Sequence, residues 1–117
     1  MIDDGKILSV INSLTAPGIK SRKDLDRLKL FKKDAENSMI YLKNQIFTED
    51  YIRTFKNRIF TENLAKNNVD FCFELALEKE KTNPDKYKQI SHVYNQYKMQ
   101  ERIYKKCNNF LKIYSKD

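Results

Sequence analysis

The chain has 117 residues, of which 33% are charged and 40% hydrophobic, and a formal net charge of +7. That length suits a single domain spanning 1–117, and two Gly, two Pro and a mean hydropathy of −0.75 argue against an all-β fold and for a soluble one. One His and two Cys that stand 35 residues apart exclude CxxC metal and redox motifs, and no run approaches the roughly 18–20 apolar residues of a membrane span.

Ile7, Leu8, Ile11 and Leu14 recur at helical spacing behind the acidic pair Asp3-Asp4, which suits a helix N-terminus; Ala16-Pro17-Gly18 stops that helix. Ser21-Arg22-Lys23-Asp24 reads as a capping-box variant opening a second helix. Its stripe of Leu28, Phe31, Ala35, Met39, Leu42 and Ile46 is the clearest periodicity in the chain and calls for about 25 helical residues facing a core. Thr48 with Glu49-Asp50 marks the next N-terminus, and Ile52, Phe55, Ile59 and Leu64 carry a third helix to Asn67-Asn68.

The tetrapeptide Ile-Phe-Thr-Glu occurs twice, at 46–49 and 59–62. Thirteen residues turn a helix by about 220°, so the copies cannot share one helical face; in so biased a composition chance is favoured over a second cap. Residues 69–77 alternate Val69, Phe71, Phe73, Leu75 and Leu77 like a strand. Cys72 and Ala76 are apolar too, residues 74–81 are strong helix formers and no partner strand exists, so this is read as a central helix. Asn83-Pro84 is the sharpest boundary, an N-cap with Pro at the first helical position. One long helix follows, with a stripe of Tyr87, Ile90, Tyr94 and Tyr97 that rotates to Ile103, Cys107, Phe110, Leu111 and Tyr114. The fold class expected is all-α: a compact bundle of four to five helices with a long C-terminal helix.

Catalysis finds little support. His92 has Lys88, Gln89, Asn95 and Gln96 as helical neighbours, so neither a Glu-x-x-His metal motif nor a Cys-His pair is present. Asp and Glu stand mostly beside Lys, as on solvated helix faces. No enzyme activity, metal or cofactor is expected. Cys72 and Cys107 are read as two buried free thiols, and the location as intracellular, cytoplasmic before organellar. The N-terminus opens acidic, unlike a secretory signal.

The basic residues are unevenly placed. Lys20, Arg22, Lys23, Arg27, Lys29, Lys32 and Lys33 face two acids over 20–33, a local +5, and residues 86–116 hold eight bases against Glu101 alone. Residues 48–80 between them are slightly acidic, at −2. In the last helix Lys98, Arg102, Lys105, Lys106 and Lys112 are interleaved with Tyr87, Tyr94, Tyr97, Tyr104 and Tyr114. Tyrosines among bases line a core, anchor a protein interface or stack on nucleobases. Two facts discount the charge: 18 of the 23 bases are Lys, whereas phosphate recognition favours Arg, and Lys, Asn, Ile, Tyr and Phe all have A/T-rich codons. The expected function is a small non-enzymatic interaction protein, an adaptor, inhibitor or accessory subunit. Tyr87, Tyr94, Tyr97, Tyr104 and Arg102 are its interface candidates. The alternative is a basic nucleic-acid-binding regulator using 20–33 and 86–116.

Leu30-Phe31-Lys32, followed 22 residues after Leu30 by Ile52-Arg53 and then Phe55-Lys56-Asn57, resembles the LYR-motif proteins. These are small, basic, all-helical mitochondrial accessory and assembly subunits, many of which bind acyl carrier protein. The resemblance implies an organellar accessory subunit with that partner. The chain departs from it in lacking the Tyr and Arg of Leu-Tyr-Arg and in placing Phe55 one residue early. Residues 83–114 resemble a tetratricopeptide unit, but bulky Ile103 and Phe110 stand where that repeat wants Ala, which excludes it.

Overall fold

The computed structural model describes residues 4–15, 21–56 and 58–114. They form six helices: α1 (Asp4–Leu14), α2 (Arg22–Ile46), α3 (Glu49–Arg53), α4 (Arg58–Ala65), α5 (Val69–Lys79) and α6 (Pro84–Tyr114). The fold is all-α with a long C-terminal helix of 31 residues, and no strand occurs among the described residues. The expected Pro17-Gly18 stop lies outside them.

The helix ends follow local chemistry. The Asp24 N–H donates to Ser21 Oγ at 3.2 Å while the Ser21 N–H donates to Asp24 Oδ2 at 3.4 Å, a reciprocal capping box. Thr48 caps α3 by accepting from the Tyr51 N–H at 3.2 Å. Asn67 ends α4 in the left-handed region, at φ 60°. Its N–H donates to Leu64 O and that of Asn68 to Asn63 O, the pair of bonds that closes a Schellman motif. Asn83 Oδ1 accepts from the Lys86 N–H at 3.5 Å in the first turn of α6.

The third helix expected over 48–68 is broken into α3 and α4, which makes six helices in place of four or five. Thr54 closes α3, its N–H and hydroxyl both donating to Tyr51 O at 3.0 and 2.6 Å. Beyond it the Phe55 and Phe60 rings stack with centroids 3.9 Å apart and planes 4° apart. Residues five apart on an unbroken helix point about 140° away from each other, so that stack requires the break. It also changes the stripe: Phe60 is fully buried and Ile59 is 54% exposed. The second Ile-Phe-Thr-Glu copy lies inside α4 and caps nothing, whereas the first ends α2 and caps α3.

Contacts gather the helices into two compact units. The first contains α1, α2 up to Met39 and α6 from Lys98. Ile11, Leu14, Leu28, Ala35, Ile103 and Cys107 form its buried core, with Phe31, Met99, Tyr104 and Phe110 packed against it. The second contains the end of α2, then α3, α4 and α5, and α6 up to Tyr97. Here α5 buries Val69, Cys72, Phe73 and Ala76 at helical spacing, and Phe71, Leu75 and Leu77 are half-buried. The alternation that suggested a strand is therefore carried by a helix. In α6 the buried set changes from Ile90, Val93 and Tyr97 to Ile103 and Cys107 where one unit gives way to the other, at the rotation seen in the sequence stripe.

Candidate basic interface

The tyrosines of α6 divide. Tyr97 is buried, only 6% exposed, its ring centroid 5.6 Å from that of Phe73. It is a core residue, which corrects the expectation that it anchors a partner. Its burial follows from position: Ile90, Val93 and Tyr97 form one i, i+3, i+7 row facing the core. Tyr94 is half-buried, its ring stacked on Phe73 at 4.7 Å and its hydroxyl donating to Asp70 Oδ1 at 3.3 Å. Tyr104 is half-buried against the first unit's core. Tyr87 is exposed beside Lys81, Pro84, Asp85 and Lys88, which line a shallow hollow. The side chain of Tyr114 lies outside those described.

The basic candidates behave differently. Arg22, Lys23, Arg27, Lys29 and Lys33 on α2 are exposed, as are Lys98, Arg102, Lys105, Lys106 and Lys112 on α6; Lys20 lies outside the described residues. Both sets belong to the first unit and their helices share its core. Lys32 stands with Nζ 5.8 Å from the Tyr104 ring centroid, joining the two. Lys106 donates to Asn12 Oδ1 of α1. The stretches that supply this unit, 1–39 and 98–117, hold 14 Lys and Arg against eight Asp and Glu, which is +6 of the chain's +7.

On α6, Lys98, Glu101, Arg102, Lys105, Lys106 and Asn109 line one shallow, open concavity. The Glu101 Oε1 atom accepts from Lys98 Nζ at 2.8 Å and lies 3.6 Å from Lys105 Nζ. Glu101 keeps only 17% of its side chain exposed.

A second cluster had no sequence signal. In the second unit the Tyr51 hydroxyl donates to Glu80 Oε2 at 2.9 Å. Lys79 Nζ sits 4.6 Å from the Tyr51 ring centroid and 4.8 Å from that of Phe55, and Lys86 Nζ sits 4.9 Å from Tyr51 on the same terms. Burial first, then the Glu80 carboxylate, pushes the Tyr51 phenol above its ordinary range. Cys72 and Cys107 are buried and free. Burial raises both thiols, and Lys43 and Lys32 respectively oppose the rise without cancelling it. A nucleophilic cysteine needs the reverse shift. His92 is exposed. Among the described residues no group of His, Cys, Asp and Glu is arranged to hold a metal ion, and no helix is long and apolar enough to cross a membrane. Of the LYR-like residues, Leu30 is exposed on α2 beside half-buried Phe31 and Lys32, and Ile52-Arg53 end α3.

No protein-family model matches the chain, and no curated protein and no solved structure matches it either.

Proposed function

We propose that the chain is a small non-enzymatic interaction protein whose first unit docks an acidic protein surface through its basic α2 and α6 residues. The observation that carries this reading is the concentration of +6 in the stretches of a unit whose described bases, Lys32 apart, are exposed and whose core is complete without them. A surface of that kind steers an anionic partner and sets its orientation more than it adds raw affinity. Raised thiols and a lone exposed imidazole support a role other than catalysis.

A nucleic-acid ligand is the second reading, favoured by the row Lys98, Arg102, Lys105, Asn109 and Lys112, which runs about 21 Å along one helix face. No tyrosine in the unit's stretches stands fully exposed among the described residues, which leaves no aromatic platform for stacked bases and weighs toward an acidic protein surface. The test is affinity capture from the native host, with and without nuclease, by the wild type and by Arg102→Glu/Lys105→Glu/Lys112→Glu. The acidic-partner reading expects proteins that survive nuclease and are lost with the charge reversals. Capture sets identical for the two proteins overturn it, and capture abolished by nuclease transfers the surface to the second reading.

A further inference from the structure

The concavity on α6 already contains a carboxylate of its own. Lys98 and Lys105 are two turns apart, about 10.5 Å along the axis, yet both ammoniums close on the single Oε1 atom of Glu101, at 2.8 and 3.6 Å. Glu101 is the one acid among residues 86–116. It is also the most enclosed member of the triad, at 17% exposure against 44% for Lys98 and 66% for Lys105. Lys106, on the flank, is turned to Asn12. Arg102 alone among the cations of this concavity has no hydrogen bond or ion pair to any described residue, and it is exposed.

We infer that Glu101 is an internal competitor that occupies the seat of a partner's carboxylate and restrains affinity, and that Arg102 is the first contact of the incoming acidic segment. This rests on the acidic-partner reading. In the free protein Glu101 offsets one of the two charges of Lys98 and Lys105 and holds both side chains over its own carboxylate. Arg102 remains able to take an external carboxylate through two parallel N–H bonds. A bound acidic segment completes its contact only by drawing Lys98 and Lys105 off Glu101. The surface is thereby tuned to partners with several closely spaced carboxylates, because a single one gains nothing over the residue it displaces. Removing the internal carboxylate raises the local charge by one and releases Lys98 and Lys105 from the contact with it, without adding a cation.

The probe is a fluorescent 15-residue polyglutamate peptide, titrated by anisotropy at 50 mM salt against four proteins: wild type, Glu101→Gln, Arg102→Ala and Asp26→Asn. Glutamine keeps the helix propensity of position 101, and Asp26 is an exposed acid on α2 that serves as the charge control. Glu101→Gln should tighten binding about fivefold, the scale of an exposed ion pair released, and Arg102→Ala should weaken it by a similar factor. Asp26→Asn should shift it less than twofold. Unchanged or weaker binding by Glu101→Gln overturns the competitor, as does an equal gain in Asp26→Asn, which would make the effect general charge. Unchanged binding by Arg102→Ala overturns its role as first contact. Binding by neither wild type nor Glu101→Gln overturns the acidic-partner reading itself.

Discussion

The hydroxyl of Tyr51 donates a 2.9 Å hydrogen bond to Glu80 across 29 residues of chain, and this bond ties the five-residue helix α3 to the end of α5. So short a helix has no stability of its own. Its place depends on Tyr51, whose ring also meets Phe47, Phe55, Lys79 and Lys86.

Replacing Tyr51 by Phe should therefore cost about 1 kcal/mol, the worth of one hydrogen bond and the satisfaction of its partner. The pH dependence is more specific. The fold favours the neutral phenol, so the contribution of Tyr51 is complete below its ordinary value near pH 10 and is lost as pH rises beyond it. Urea midpoints at pH 8 and pH 11 should fall further for the wild type than for Tyr51→Phe. Equal falls would remove the Glu80 bond from the account.

Phe73 is completely buried, with the rings of Tyr94, Phe47 and Tyr97 at 4.7, 5.0 and 5.6 Å. Phe73→Ala should destabilise by about 3–5 kcal/mol. Ile59→Ala, at a position 54% exposed, should stay within about 0.5 kcal/mol. Chemical denaturation of the two variants checks the break between α3 and α4, because one continuous helix would bury Ile59 in the stripe.

Asn67 sits at φ 60°, where a Cβ is costly and Asn or Gly is tolerated. Asn67→Gly should leave the thermal midpoint unchanged or raise it, and Asn67→Val should lower stability by about 1–2 kcal/mol. A valine tolerated without loss would contradict the left-handed turn.

Each unit contains one thiol, Cys107 in the first and Cys72 in the second, where it donates to Phe60 O at 3.9 Å. In single-cysteine variants both should react with an aromatic disulfide at least about a hundredfold more slowly than in urea. Their separate rates report the opening of each core. A thiol that reacts at the denatured rate would show its surroundings to be open.

What the sequence disclosed was local. The capping box at Ser21, the cap at Thr48 and the Asn83-Pro84 start each depend on residues within four positions, and all three stand where expected. The break after Thr54 depends on Phe55 stacking on Phe60 and on Tyr51 reaching Glu80, partners that no periodicity announces. The two basic segments were visible as charge, but their meeting in one unit required Leu28 and Ala35 to pack with Ile103 and Cys107. Tyr97 was misassigned for a related reason. A Tyr among Lys and Gln looks the same in sequence whether it points out or in, and only Phe73 beside it decides.

The duplicated tetrapeptide has one more implication. Its first copy ends one helix and caps the next, and its second lies within a helix, yet the two phenylalanines, Phe47 and Phe60, meet edge to face at 5.6 Å in a single core. In amide exchange, Phe, Thr and Glu of the two copies have the same residue types and the same preceding neighbours, so every difference between Phe47 and Phe60 or between Thr48 and Thr61 belongs to helix position and packing in the fold, and none to the tetrapeptide itself. Cut from the chain, segments 46–49 and 59–62 would be the same molecule.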